Sequence, residues 1–232
     1  IEVKSESYPM LRVDLADAAF KSSELGTSTA LIKGVVDYFV RAGKNVGGFN
    51  ACMDSVVPKG SGVSSSSSFE LIIAEILNVY YNDGKLDAIF KAKASQYAEN
   101  VFFGKPCGLM DQSAIALGGV NMIDFRSFDN PVVEGAKWKF DDLDIYVVAT
   151  GGDHCDLTDD YAAIPAEMKS VAEAMGGKLL RDINPDDFLK AEDGLRGKLS
   201  ERVLLRAEHY FEEKGIRFIA VAEGIDSKKG LD

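Results

Sequence analysis

Pro58-Lys59-Gly60-Ser61-Gly62-Val63-Ser64-Ser65-Ser66-Ser67-Ser68 sets two glycines at alternate positions ahead of an unbroken run of hydroxyls. Glycines let backbone N–H groups approach an anion with no Cβ in the way, and the first turn of a helix adds unpaired N–H donors and the positive end of its dipole. The flanks suit that reading. Residues 48–54 alternate apolar and polar as a half-buried strand does, and Phe69, Ile72, Ile73, Ile76, Leu77 and Tyr80 fall at helical spacing. Strand, glycine turn and helix start in that order predict a site for a triphosphate. A Ser/Gly linker is the plain alternative, but the helical pattern begins at once after Ser68 and leaves no slack. The sequence G-x-x-x-x-G-K-[ST] occurs nowhere, so the loop is of another kind than Walker A.

Phosphoryl transfer to an alcohol needs a phosphate cradle, a metal held by oxygen ligands and often a carboxylate that takes the hydroxyl proton. Glu99 and Asp111 are the acids weighed for these tasks. Each has an ordinary reading too: Glu99 as a solvated charge on a helix, Asp111 as a helix cap. The elements that must position them follow from spacing. Leu86, Ile89, Phe90, Tyr97 and Val101 predict a helix carrying Glu99 near its end, broken by Gly104-Lys105-Pro106. After Cys107-Gly108-Leu109-Met110-Asp111-Gln112, residues 113–117 read as a short helix stopped by Gly118-Gly119. Strands are expected around 120–125 and 145–149, and Gly151-Gly152 marks a turn. Ile164, Met168, Val171, Ala172 and Met175 predict a helix ending at Gly176-Gly177, and a last amphipathic helix covers about 199–211. No internal repeat is present, and the mixture of elements predicts an α+β architecture.

Composition narrows the function classes. The 232 residues are 46% hydrophobic and 27% charged, enough for one large domain or two small ones. No apolar run reaches the roughly 18 residues of a membrane span, and Ile1-Glu2-Val3-Lys4 lacks the pattern of a signal peptide. No membrane partner and a cytoplasmic location are expected. The net charge of −11 would repel a nucleic-acid backbone, so no nucleic acid is expected either. ATP stays compatible, because its phosphates would meet local backbone donors and Mg²⁺. Cys52, Cys107 and Cys155 are odd in number and lack C-x-x-C spacing, which predicts reduced thiols.

The glycine-serine loop, together with Ala98-Glu99-Asn100, Pro106-Cys107-Gly108-Leu109-Met110-Asp111-Gln112 and Asp124-Phe125-Arg126-Ser127, resembles the galactokinases of the GHMP kinase superfamily. The loop alone matches the superfamily pattern P-x-G-x-G-L-S-S-S-A, with Val63 and Ser67 in place of the usual Leu and Ala. The P-C-G-[IL]-M-D-Q block is narrower. The resemblance continues through Thr150-Gly151-Gly152-Asp153-His154 and Thr158-Asp159-Asp160-Tyr161 and covers roughly residues 27–213. It implies that Gly60, Ser61, Gly62, Ser64, Ser65 and Ser66 bind ATP and that Ser66 and Glu99 are the Mg²⁺ ligands. It implies also that Asp111 receives the proton of the galactose C1 hydroxyl, with Gly108, Asp111 and Tyr161 contacting the sugar.

The same resemblance implies a GHMP kinase fold: a ribosomal protein S5 domain 2-like N-terminal part over 1–142, and a partial ferredoxin-like part over 143–232 with a divergent tail after about 213. The family's G-R-x-N-[IL]-I-G-E-H-x-D-Y and G-G-G-F-G-G motifs are absent from these residues. A chain truncated at both ends is expected, with self-association through exposed sheet edges. Residues 215–221 resemble, faintly, a strand of serine recombinases. Phosphorylation of galactose at C1 is the expected reaction, slow in this chain because groups that orient the sugar contribute on the order of 7 kcal/mol. The alternatives are another GHMP small-molecule kinase and a non-catalytic sugar or nucleotide binder.

Overall fold

The structure is a computed structural model. It describes residues 1–6, 8–57, 62–137, 144, 146, 148 and 158–223, with the backbone alone at 158, 159, 161 and 214–223. Two compact units are present, Ile1–Phe125 and Arg126–Val148 with His154–Asp232, and the elements mix α and β as expected.

In the first unit, β1 (Glu2–Ser5) is the middle strand of a three-stranded sheet. It pairs antiparallel with β2 (Leu11–Arg12) and parallel with β3 (Asn50–Met53), with Val3 opposite Leu11 and Ala51. Between β2 and β3 runs α1 (Ser28–Arg41), which the sequence reading did not include. Its signals are ordinary. Thr27 caps it by accepting from the Ala30 N–H at 3.2 Å, and Ile32, Val35, Val36 and Phe39 recur at 3- and 4-residue steps on its buried face.

The predicted strand over 48–54 is β3, and the predicted helix after the loop is α2 (Ser65–Tyr81). The buried face of α2 differs from the expectation. Ile73 and Leu77 are buried, but Ile72 is 49% and Tyr80 75% exposed, and Ser67, Glu70 and Asn78 are buried in their place. Glu70 accepts from Ser95 of the next helix, α3 (Ala88–Tyr97), and Asn78 accepts from the Leu86 N–H just ahead of it, and these contacts turn the face inward. Asp87 caps α3 through the Phe90 N–H at 2.7 Å. Past Tyr97 the chain widens into a π-helical turn, Ala98–Phe103, ended by Gly104 in the left-handed region. Gly34 of α1 faces this turn so closely that a Cβ there would lie 2.6 Å from the Ala98 Cα. Next come α4 (Met110–Leu117) and β4 (Val120–Asp124).

The second unit contains β5 (Val132–Ala136), absent from the sequence reading, then α5 (Thr158–Ala174), α6 (Pro185–Arg196) and α7 (Glu201–Glu223). α5 matches the predicted helix. α6 was missed although Asn184 caps it and Pro185 opens it. Helix α7 runs on to Glu223, so the strand expected over 215–221 is helical instead. Between 201 and 223 only Gly215 weakens a helix, at about 1 kcal/mol, and no proline stops it. The core here is Val171, Ala172, Leu180, Phe188, Leu204 and Phe211. The strand expected over 145–149 and the turn at 151–152 lie largely outside the described residues. Among the described residues no helix is long and apolar enough to cross a membrane, and Cys52 and Cys107 are free thiols.

Candidate functional site

The start of α2 gathers the site. Gly60 and Ser61 lie outside the described residues. Gly62 is left-handed, with φ of 77°, and so is Ser64, with φ of 57°. For a serine that conformation costs on the order of 1 kcal/mol. Ser64 occupies the N-cap position, where a hydroxyl ordinarily accepts from the N–H two or three residues on. It makes no such bond. Its Oγ donates instead to Asp111 Oδ2 at 2.6 Å, so the loop end is tied to α4, and its hydroxyl leaves the donors that open α2 uncapped.

Two residues on, the Ser66 Oγ donates to Glu99 Oε1 at 2.8 Å. Glu99 is 2% exposed, which replaces the reading of a solvated surface charge. Every neighbour that meets its carboxylate is a donor. Lys105 Nζ stands 3.3 Å from Oε1, while Gln112 Nε2 and Cys107 Sγ reach Oε2 at 2.8 and 3.2 Å. The π-helical turn sets Glu99 toward α2 at a place where backbone bulges often accompany function. The 105–109 segment is held in turn by Asn100, whose Oδ1 accepts from the Cys107 N–H at 2.7 Å.

Electrostatics follow from this packing. Burial, and then the charge of Glu99, push the Cys107 thiol up to about 12, so it stays protonated and donates. Burial pulls Lys105 down, but the attraction of Glu99 and its hydrogen bond outweigh that and leave it above the ordinary lysine value. Glu70, fully buried on α2, is pushed up to about 9 by burial first and Glu99 second.

The structure therefore brings Ser64, Ser66, Glu99 and Asp111 together by direct contacts. Asp111 lies in the first turn of α4, with Leu109 as the N-cap residue, so the cap reading does not hold. Ser65 opens α2. Gly108 precedes α4, and a Cβ placed on it would meet nothing within 4 Å, which leaves open space on that side. Tyr161 is in the first turns of α5, with its side chain outside the described residues. Sequence reasoning missed Lys105, Gln112, Glu70 and Ser95. Gln112 stands in the block quoted above, three residues after buried Leu109, and a polar residue at that spacing was the available signal.

For a divalent cation the donor chemistry fits: a hydroxyl and a carboxylate oxygen 2.8 Å apart are hard ligands of the kind Mg²⁺ takes one or two of, leaving the rest to phosphates and water. Among the described residues no cluster of three or more His, Cys, Asp or Glu could hold a metal unaided.

Residues 30–119 match the family described as GHMP kinases N terminal domain. The chain carries a GHMP kinase N-terminal domain. That domain spans α1 through α4 and so includes all four contacting residues. The chain is 48% identical over 90 residues to a galactokinase of Clostridium tetani, covering 39% of this chain and 23% of that protein. It is 32% identical over 208 residues to a galactokinase of Glaesserella parasuis, covering 87% of this chain and 51% of the relative. It thus spans about half or less of the length of these curated relatives. The crystal structure of Lactococcus lactis galactokinase complexed with galactose aligns with a TM-score of 0.70 at 21% identity, covering 95% of this chain and 58% of that one. The GHMP kinase fold expected from the motifs is the fold of this chain.

Proposed function

We propose that this chain belongs to an ATP-dependent sugar kinase that phosphorylates the C1 hydroxyl of galactose. The observation that carries the reading is the pair of hydroxyl-to-carboxylate contacts, Ser64 to Asp111 and Ser66 to Glu99, which join one loop end to two acids of separate segments. Similarity to galactokinases, one of them solved with galactose, supports the choice of sugar.

In this reading the N–H groups opening α2 hold the phosphates of ATP together with Gly60, Ser61 and Gly62. Ser66 and Glu99 hold Mg²⁺, which when bound neutralises charge on the transferring phosphoryl group. Asp111 accepts the C1 hydroxyl proton as that oxygen attacks the γ-phosphorus and the bond to the β-phosphate oxygen breaks, giving galactose 1-phosphate and ADP. Ser64 fixes the Asp111 carboxylate through Oδ2 and leaves Oδ1 for the proton. Gly108, with open space beside it, borders the sugar. Residues 1–142 would carry the ATP-binding function.

The test is a coupled assay of ADP release with ATP, Mg²⁺ and galactose. A slow galactose-dependent rate is expected, falling about 100-fold or more in Asp111→Ala, the scale of a lost general base. Nucleotide binding with equal, near-zero rates in both proteins assigns the chain to the non-catalytic binders.

A further inference from the structure

Helices α2 and α3 repeat one arrangement twice. Ser66 and Glu70 stand one turn apart on α2; Ser95 and Glu99 stand one turn apart on α3 and the turn that continues it. Ser66 donates to Glu99, and Ser95 donates to Glu70, so the two bonds close a four-cornered seam in which each helix supplies one hydroxyl and one carboxyl group. The second pair has no access to solvent, both residues being 0% exposed, and Glu70 Oε1 has no hydrogen-bond partner. A buried acid with half its acceptors unmet costs stability, and an apolar residue of like size would pack there more cheaply. The catalytic roles assigned above use neither residue.

We propose that Glu70 and Ser95 are positioning residues: their hydrogen bond sets the register of α2 against α3 at which the Ser66 hydroxyl meets the Glu99 carboxylate, and so builds the two-oxygen site for a divalent cation. A one-turn slip of either helix would bring Ser66 to Ser95 or Glu70 to Glu99, and the second of these sets two acids face to face. Because Glu70 holds its proton well above neutral pH, the seam carries one negative charge beside Ser66 and not two. The inference rests on the nucleotide reading of the preceding section.

The experiment titrates the purified chain with a fluorescent ATP analogue, with and without Mg²⁺, and reads the factor by which Mg²⁺ tightens binding. In Ser95→Ala that factor should fall about tenfold, the low end of what outer partners of metal ligands contribute, with metal-free affinity unchanged. Glu70→Gln keeps an acceptor for Ser95 and should keep the factor. A full Mg²⁺ factor in Ser95→Ala overturns the inference alone. So does an equal loss with and without Mg²⁺, or a loss in Glu70→Gln as large as that in Ser95→Ala. Absence of Mg²⁺-dependent binding in the unaltered chain overturns the nucleotide reading, and this inference with it.

Discussion

The seam of α2, α3 and α4 and the helices of the second unit bury opposite kinds of side chain. Glu70, Asn78, Ser95, Glu99, Gln112 and Ser113 are all buried in the first. Around α5, α6 and α7 the buried groups are aliphatic and aromatic, with Phe188 and Phe211 rings 5.0 Å apart, and charge is kept at the rim, where Arg202 meets Asp160 at 2.7 Å and Glu167 at 3.2 Å. Apolar burial stabilises without direction, whereas a buried carboxylate must be met by donors at defined angles. The first unit therefore gives up packing energy where it fixes two acids, and the second, in its described part, keeps that energy.

Removing mass from the apolar core should show the contrast at its largest. Phe188→Ala, at a side chain 1% exposed, is expected to lower the stability of the chain by about 3–5 kcal/mol in denaturant unfolding. A loss under 1 kcal/mol would mean that this core does not depend on close packing.

A smaller effect is expected where the first unit is tight for a different reason. In Gly34→Ala the new Cβ meets the Ala98 backbone, and overpacking of this kind costs about 1–3 kcal/mol, against the roughly 1 kcal/mol that alanine gains in a helix. Glu99 adjoins the displaced backbone, so Mg²⁺-dependent nucleotide binding should weaken along with the melting temperature. Loss of stability with binding intact would detach α1 from the site.

The gentlest test is a pH series. Glu70 has a folded value of about 9, raised by burial and then by Glu99, with Lys105 and the Ser95 hydroxyl opposing, against an ordinary value of 4.5. Between those values the folded chain holds a proton that the unfolded chain has released, so this group lowers stability as pH rises from about 4.5 to 9. Its contribution is complete below 4.5 and is lost by about 9. Glu70→Gln removes the titration and should flatten that part of the stability profile. Parallel profiles would show that Glu70 is ionised in the fold.

How far the fold was legible depends on whether local pattern or tertiary contact decides each element. β3, α2, α3, α4, β4 and α5 follow from spacing and from glycine stops. Helix α1 is equally legible from the Thr27 cap and its apolar face, although it carries no motif. The face of α2 could not be read by counting apolar residues: Ile72 and Tyr80 are the hydrophobic ones, yet Glu70 and Asn78 are inside, since partners from elsewhere in the chain satisfy them. The π-helical turn has no sequence signal of its own, so helical spacing alone leaves a surface charge open as the ordinary reading of Glu99. Helix α7 outran its predicted end because the faint strand likeness over 215–221 was set against a region with no helix stop. At the site, the identities of Ser64, Ser66, Glu99 and Asp111 came from motif resemblance, while their pairing needed coordinates.

Ser64 holds a backbone shape that glycine would take at less cost, and its hydroxyl makes the bond to Asp111 that glycine could not. Drift toward a sturdier loop and drift toward a working carboxylate thus pull position 64 in opposite directions. If Asp111 works as proposed, a substitution to glycine would keep the fold and weaken turnover, so this position can report which of the two pressures a population of such chains has been under.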